Sequence, residues 1–167
     1  MSNEGGQSLL EVIVAATVGI LVVSALTFAT IFSLRNASFA KTSAQATKLA
    51  QEGIEKVRSI RDRDQDGKVS YSVNQGDQRT EFSQLWDISF ACPPANNNCY
   101  FYLSSSDVLT GGTGTNFEEI PNSPFKRQVQ IEDDSPPTEQ KKITVLVTWT
   151  DFSGAHESRL TTILRKL

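Results

Sequence analysis

The chain has 167 residues, a size typical of one domain or of one domain with an appendage. Its 19 Asp and Glu residues outnumber its 16 Lys and Arg residues, for a formal net charge of -3. Nucleic-acid-binding surfaces carry an excess of basic residues, so we expect no nucleic-acid partner. One His and two Cys leave little material for a catalytic metal centre or a nucleophilic triad. We therefore predict that the protein is not an enzyme and has no transition-metal site.

The N-terminal part of the chain contains a long apolar segment. From Val12 to Leu34 there is no charged residue and no proline. A helix rises about 1.5 Å per residue, so this segment is long enough to cross a hydrocarbon core of about 30 Å. A secretory signal peptide is the alternative, but its apolar core is only about 7–15 residues long and follows basic residues. No Lys or Arg precedes this segment, and we predict a membrane-spanning helix.

Glu11 stands at the edge of the apolar segment. An ionised carboxylate that reaches the centre of a bilayer costs about 2.5 kcal/mol or more. Such a group is usually paired or functional, although near the interface its side chain can extend to water. From this residue alone, both interpretations stay open.

The segment around Glu11 resembles the processing site of type IV prepilins and pseudopilins. It reads GQSLLEV at positions 6–12 and is followed directly by the apolar segment. In that family a prepilin peptidase removes a leader that ends in Gly, and the new first residue is N-methylated. Carried over by position, the resemblance implies cleavage between Gly6 and Gln7, methylation of Gln7, and an assembly role for Glu11. In a filament, its carboxylate would meet the terminal amine of a neighbouring subunit.

The resemblance also implies a location. Residues 1–6 would be the leader peptide, and the subunit would lie in the cytoplasmic membrane as a single-pass protein with a cytoplasmic N-terminus. It would later enter an extracytoplasmic or cell-surface filament. Basic residues normally flank the cytoplasmic side of a span, yet here Arg35, Lys41 and Lys48 follow it. Charge bias alone predicts the opposite orientation, so the cytoplasmic N-terminus depends on the resemblance.

The helix is predicted to continue beyond the apolar segment. Small or apolar residues recur at spacings of four and three, at Ala46, Ala50, Gly53, Val57 and Ile60. This spacing is one face of an amphipathic helix. We predict a membrane-spanning or filament-core helix over 7–34 and an amphipathic continuation over 35–61. Together they match the helical spine of a pilin.

An acidic motif follows the predicted helix. Asp62, Asp64 and Asp66 precede Gly67 with the spacing of the first half of an EF-hand calcium loop. The position that holds the bidentate Glu in that loop is Val73. Two interpretations stay open: a Ca²⁺ site, or a solvated turn that ends the helix with Gly67 in a left-handed conformation. No other cofactor is predicted.

Residues 62–167 are predicted to form a β-rich head. Cys92 and Cys99 flank a turn-rich loop. Beyond a membrane span, in an oxidising compartment, we expect them to form a disulfide, with free buried thiols as the alternative. Alternating patterns predict strands over 125–131, 141–151 and 157–167, and weaker patterns occur over 69–73 and 82–90. Residues 104–123 are predicted to be a mobile surface loop, and His156 an exposed residue of a hairpin turn.

The expected fold class is α+β, with one long N-terminal helix packed against a small antiparallel sheet. The resemblance implies a structural subunit, a minor one, of a type IV pilus or a type II secretion-like pseudopilus. Its partners would be a prepilin peptidase, other pilin or pseudopilin subunits, and the cytoplasmic membrane. The alternative is a static single-pass membrane protein with an extracytoplasmic head that binds a ligand or calcium. Only the first hypothesis predicts processing at Gly6.

Overall fold

A computed structural model describes residues 4–74, 77–90, 92, 98–134 and 139–166; for residues 4–8, 73 and 74 it describes the backbone. The described residues form one α-helix, a short 3-10 turn and eight strands. The helix, α1, spans Glu4–Arg63. The α+β prediction is confirmed. The strands are β1 Val69–Asn74, β2 Asp77–Arg79, β3 Tyr100–Leu103, β4 Leu109–Gly111, β5 Glu118–Glu119, β6 Lys126–Asp133, β7 Gln140–Asp151 and β8 Gly154–Arg165.

The chain divides into two compact units, Met1–Thr42 and Ser43–Leu167. In the first unit, the described residues belong to α1, and its apolar side chains are exposed: Leu9 is 67% and Phe28 73% exposed. Five hydroxyl groups in this part of α1 donate to backbone carbonyl oxygens of the helix itself, those of Thr17, Ser24, Thr27, Thr30 and Thr42. Ser24 Oγ, for example, donates to the Ile20 carbonyl oxygen over 2.7 Å. These hydroxyl groups therefore have partners in the helix itself, which lowers the cost of their transfer into lipid.

In the second unit, the last part of α1 packs against the sheet. Ala46, Ala50 and Val57 are fully buried, which confirms the predicted apolar face. Gly53 lies on the same face, and a Cβ atom there would be 2.9 Å from Val145 Cγ1 and 3.0 Å from the Cδ atom of Arg127. Glycine in a helix interior costs about 1 kcal/mol relative to alanine. At this position it permits the close approach of α1 to β6 and β7.

The sheet has the strand order β2-β1-β4-β3-β6-β7-β8, with β5 paired to β6. The last three strands pair antiparallel in chain order, as the predicted antiparallel sheet requires, and β7 pairs with β8 from Gln140↔Arg165 to Asp151↔Gly154. The first strands differ from that prediction because β1 pairs in parallel with β4. The sheet is therefore mostly but not entirely antiparallel.

The core lies between α1 and the inner face of the sheet. Odd-numbered residues of β6 and β7 point towards it, and Val129, Ile143 and Val145 are fully buried there. Aromatic rings fill the end near β3, where Phe90 packs edge-on against Phe101 with ring centroids 5.6 Å apart. The strands predicted over 69–73, 125–131, 141–151 and 157–167 are confirmed as β1, β6, β7 and β8, although residue 167 lies outside the described residues.

The strand predicted over 82–90 is wrong. Ser83–Leu85 forms a 3-10 turn, and its flanking residues Phe82 and Trp86 are buried together with Leu85. These three apolar residues stand at i, i+3 and i+4, which is a helical spacing. One turn of helix therefore places all three side chains in the core.

The segment 104–123 is not the loop without secondary structure that its composition predicts. It contains β4 and β5. Between those strands, Gln128 Nε2 donates to the carbonyl oxygens of Thr113, Gly114 and Asn116 over 3.4, 3.2 and 2.8 Å. One buried amide on β6 thus holds the Gly- and Thr-rich turn against the sheet.

Candidate functional site

The predicted processing and assembly residues lie on α1. Gly6 and Gln7 have helical backbone, and Glu11 follows on the same continuous helix with an exposed side chain. Residues 1–3 of the predicted leader lie outside the described residues. Cleavage after Gly6, methylation of Gln7 and the assembly role of Glu11 stay predictions.

Glu11 stands far from any basic residue of its own helix. The next charged residue along α1 is Arg35, and at about 1.5 Å per residue it lies about 36 Å away along the helix axis. No cation of the described part of α1 can therefore neutralise this carboxylate. The carboxylate therefore has to be solvated by water at an interface or paired with the N-terminal amine or with a cation of another molecule.

The exposed apolar surface of α1 is the largest candidate interaction surface of the first unit. Among the described residues, the helix region Leu9–Arg63 contains a window with a mean hydropathy of 2.5, and none of that window is buried. By length and composition it can cross a membrane. Soluble monomers rarely expose a contiguous apolar surface of this kind, which usually contacts lipid or another protein.

The acidic motif forms the turn that ends α1. The helix stops at Arg63, and both Asp64 (φ 41°) and Gly67 (φ 77°) have left-handed backbone. The predicted conformation of Gly67 is confirmed. A residue in this conformation just beyond the last helical residue is a common helix terminator.

Two of the three Asp carboxylates have partners within the protein. Asp62 Oδ1 lies 2.6 Å from Arg61 Nη2, and Asp64 Oδ1 accepts a hydrogen bond from the Ser83 N–H over 2.8 Å. Among the described residues, no group of three or more His, Cys, Asp or Glu side chains is placed to hold a metal ion. This arrangement is that of a helix-ending turn; Ca²⁺ binding by Asp62, Asp64 and Asp66 stays a prediction.

The predicted disulfide between Cys92 and Cys99 is present, with a Cα–Cα distance of 5.5 Å. Residues 93–97 of its loop lie outside the described residues. The second cysteine is fixed to the sheet because the Ile131 N–H donates to the Cys99 carbonyl oxygen over 2.9 Å. Asn98 Nδ2 also donates to the Ser89 carbonyl oxygen over 3.2 Å. The disulfide therefore joins two positions of the segment before β3, and the second of them is hydrogen-bonded to β6.

A buried arginine, which the sequence analysis did not single out, connects α1 to the sheet. Arg127 is 1% exposed. Its Nε and Nη2 donate to the two carboxylate oxygens of Glu118 over 2.7 and 2.8 Å, and its Nη1 donates to the Leu49 carbonyl oxygen over 3.0 Å. The burial of Arg127 could have been predicted from the alternation of β6. Its side chain lies two and four residues before those of the core residues Val129 and Ile131, and therefore on the same face of the strand.

Lys141 is a second buried cation, on β7. Its Nζ donates to Asp133 Oδ1 and, over 2.6 Å, to the Ile88 carbonyl oxygen, and it lies 4.9 Å from the centre of the Phe90 ring. Burial by itself would raise the pKa of Asp133. Hydrogen bonds from Lys141, Ser89 and the Phe90 N–H nevertheless hold that pKa below its ordinary value.

His156 lies in β8 and is half-buried, which corrects the prediction of an exposed residue in the turn itself. Its ring stacks on Trp149 with centroids 5.4 Å apart, and its Nε2 lies 3.0 Å from both Asp151 Oδ1 and Ser153 Oγ. A nucleophilic triad needs the acid and the nucleophile on opposite nitrogens of the imidazole. Here both approach Nε2, so the three side chains form a turn-stabilising network. Hydrogen bonds from Ser153, with a smaller contribution from His156, lower the pKa of Asp151 to about 2.

Compared with known proteins, the chain matches no family model, no curated protein and no solved structure. Its architecture is pilin-like: a long N-terminal helix with an apolar first part, and a β-sheet packed on the last part of the same helix.

Proposed function

We propose that this protein is a subunit, a minor one, of a type IV pilus or of a type II secretion-like pseudopilus. One observation carries the proposal. The Gly6-Gln7 pair and Glu11 stand at the prepilin offsets on the same continuous helix as an apolar segment whose side chains are exposed. A processing site, an acidic residue and an unpartnered apolar helix are what assembly by helix packing requires.

In this proposal Glu11 selects the axial position of the subunit. After cleavage the amine of Gln7 becomes the N-terminus, and Glu11 lies four residues beyond it. A charge buried without its partner costs about 3–5 kcal/mol. An alignment of neighbouring helices that pairs the carboxylate of one subunit with the amine of the next avoids this cost, whereas other alignments do not.

The second unit supplies a firm connection between the helix and the head. Arg127 bonds the Leu49 carbonyl of α1 and the carboxylate of Glu118 at the same time. Lys56 of α1 pairs with Asp107 of the β3–β4 turn over 2.8 Å. These contacts favour a head that stays attached when the helix is pulled or packed, as a filament subunit needs.

The partners in this proposal are a prepilin peptidase, the cytoplasmic membrane, and other pilin or pseudopilin subunits. The N-terminus is cytoplasmic before extraction, and the head is extracytoplasmic. The protein has a structural role rather than an enzymatic one, and it takes no cofactor other than a Ca²⁺ ion if the turn after α1 binds one. No nucleic acid is among its proposed partners.

Intact-mass and N-terminal peptide mass spectrometry test the proposal. With a prepilin peptidase co-expressed, we expect loss of residues 1–6 and a methyl group on Gln7. Gly5 provides a matched control, because Gly5→Ala leaves the residue before the cut unchanged whereas Gly6→Ala replaces it. An intact N-terminus beside a peptidase that cuts a known substrate overturns the proposal and favours a static single-pass membrane protein.

Glu11→Gln tests assembly separately from processing. We expect this variant to be inserted and cleaved but to be absent from sheared filaments. Glu4→Gln is the control, since Glu4 lies in the proposed leader and is removed before assembly. Incorporation of the Glu11→Gln variant at the wild-type level would contradict the assembly role of Glu11.

A further inference from the structure

One edge of the sheet is a long and regular strand. β8 is the last strand in the sheet order and has 12 residues, whereas β2 at the other edge has three. Its register with β7 is continuous, and its sequence contains no proline. Proteins usually protect such an edge with a bulge, a proline or a covering segment, because its free backbone groups can pair with another strand. Among the described residues, no strand pairs with the outer edge of β8.

The turn that precedes β8 determines which backbone groups face outwards. Only two residues separate Asp151 from Gly154, so this pair is a hydrogen-bonded pair of the hairpin. Hydrogen-bonded and non-hydrogen-bonded pairs alternate along an antiparallel ladder. The N–H and C=O groups of the odd-numbered residues 155–165 therefore point away from β7.

The outward-facing residues of β8 complement themselves in one antiparallel register. When two copies of β8 pair around Thr161, Glu157 lies opposite Arg165 of the second copy, and Arg159 lies opposite Ile163. The members of each pair share the exposed face of the sheet. Two oppositely charged pairs then form, and the aliphatic part of Arg159 covers Ile163, which is 51% exposed in the single chain.

Neighbouring registers are less favourable. A pairing centred on Arg159 puts this residue opposite itself, and a pairing centred on Thr162 puts Arg159 opposite Arg165. Directly opposed like charges are destabilising in a sheet. A pairing centred on Leu160 puts Glu157 opposite Ile163 and loses both ion pairs.

Two contacts of β8 with α1 involve side chains of the other face. Thr47 Oγ1 lies 3.2 Å from Ser158 Oγ, and Arg58 Nη2 donates to Thr162 Oγ1 over 3.0 Å. Both β8 residues are even-numbered, so their backbone groups belong to the β7 ladder. These two contacts do not use the outward backbone groups. A third contact, from Arg61 Nη1 to the Arg165 carbonyl oxygen over 3.5 Å, reaches the outer edge at the last residue of the strand. A carbonyl oxygen has two lone pairs, so this one can also accept from a second strand.

We propose that β8 is a docking edge for a second copy of this chain, antiparallel and centred on Thr161, so that two sheets join into one. Backbone hydrogen bonds supply the affinity, and the Glu157–Arg165 pairs select the register. This inference goes beyond the proposed filament role and does not depend on it, because β8 belongs to the second unit and needs no processing at Gly6.

Cysteine cross-linking of the full chain in detergent tests the register. Thr161→Cys places the two thiols directly opposite each other, at a Cα–Cα distance of about 5.5 Å, which is suitable for a disulfide. Ile163→Cys alone is the matched control, because its two copies stand four residues apart in this register, about 13 Å. We expect a covalent dimer for Thr161→Cys and about tenfold less for Ile163→Cys.

A mixture of chains sharpens the test. Arg159→Cys and Ile163→Cys each dimerise poorly alone, but their mixture is expected to form a heterodimer because these positions face each other. Equal cross-linking of all single variants, or none for Thr161→Cys in a protein with unchanged circular dichroism, overturns the proposal. If Thr161→Cys does not cross-link but the chain is still cleaved after Gly6, the β8 docking edge is contradicted and the proposed filament role is not affected.

Charge exchange tests the pairing by an independent route. Glu157→Lys and Arg165→Glu are each expected to weaken self-association about tenfold, since each sets like charges opposite each other. The double variant restores the two pairs and is expected to recover the dimer. A double variant as weak as the single ones contradicts the proposed register.

Discussion

The first and last parts of α1 belong to one continuous helix but differ in burial: the apolar side chains are exposed in the first part and buried in the last part. In the first unit, Val18 is 54% exposed and Phe28 73% exposed. In the second unit, the shorter side chains of Ala46, Ala50 and Val57 are fully buried. The more apolar part of the helix is therefore the part whose described side chains are not buried in a core.

This contrast shows that burial depends on available partners rather than on hydrophobicity alone. The last part of α1 carries small residues at spacings of three and four, and β6 and β7 cover that narrow face. The first part is apolar on all sides, so one sheet face could not cover it. Such a helix requires lipid or several neighbouring helices. The predictions below test this contrast by urea unfolding of the full chain in detergent, followed through the buried residues Trp86 and Trp149.

The largest effect is expected for Arg127→Ala. The change removes the bonds to Glu118 and the Leu49 carbonyl and leaves a mostly buried carboxylate without its counter-charge. The free energy of unfolding of the second unit should fall by about 3–5 kcal/mol. Lys126→Ala on the same strand removes only an exposed ion pair with Glu119 and should cost no more than about 1 kcal/mol. Equal losses for the two variants would show that Arg127 does not connect α1 to the sheet.

The next largest loss of unfolding free energy is expected from a valine-to-alanine substitution, which can be compared between the two parts of α1. Val57→Ala removes two buried methyl groups and should cost about 2 kcal/mol of unfolding free energy. Val18→Ala removes the same groups from an exposed position and should leave the tryptophan-monitored midpoint unchanged. A shift of that midpoint by Val18→Ala would mean that the first part of α1 contributes to the stability of the second unit.

Gly53 and Gly19 allow the same comparison between the two parts of α1, with a smaller expected change in stability. Gly53→Ala puts a methyl group 2.9 Å from Val145 Cγ1, and the strain should exceed the gain in helix propensity, for a net loss of about 1 kcal/mol. Gly19 has no such neighbour within 4 Å, so Gly19→Ala should leave the second unit unaffected and raise helicity by circular dichroism. Stabilisation by Gly53→Ala would show that the helix-to-sheet contact is looser than the structure indicates.

The smallest effect is a pH dependence at the β7–β8 hairpin. The pKa of Asp151 is lowered to about 2, chiefly by the Ser153 hydroxyl. A group with a lowered folded-state pKa contributes stability above its unfolded pKa, about 4, and this contribution is lost as the pH falls towards 2. The decline in urea midpoint between pH 5 and pH 2.5 should therefore be shallower in Asp151→Asn than in the wild type. Asp87→Asn, at an exposed position, serves as the control, and identical slopes for Asp151→Asn and the wild type would contradict the assignment.

Several features were predictable because they are local. Alternation in 125–131 and 157–167 predicted strands, since successive side chains of a strand point to opposite faces. The close spacing of Cys92 and Cys99 allowed the disulfide that the structure contains. The strand at 82–90 was predicted wrongly because Trp86, Ile88 and Phe90 alternate with polar residues, while the start of the same segment has helical spacing and forms a 3-10 turn. A segment of that length is ambiguous without knowledge of what covers it.

The contacts that organise the second unit were not predictable in the same way. The parallel pairing of β1 with β4 joins residues about 40 positions apart, as in Val69↔Leu109, and no local pattern encodes it. The turn held by Gln128 has the composition of an exposed loop, and a single buried amide on another strand gives it structure. For the proposed processing site, the residues are readable from the sequence, but cleavage and assembly depend on other molecules.

The sequence by itself determined the division of α1 into an apolar part and an amphipathic part. Both the long uncharged segment and the spacing of small and apolar residues by three and four are local patterns, which do not depend on distant parts of the chain. The sequence also determined the α+β class and the last three strands. Tertiary structure alone decided that Gly53 must be small, that Arg127 is buried with Glu118, and that β8 is the last strand of the sheet in the described part of the chain. Each of these features depends on which segments, distant in the sequence, pack against each other. Close packing and the pairing of buried charges occur only between residues that the folded chain brings together.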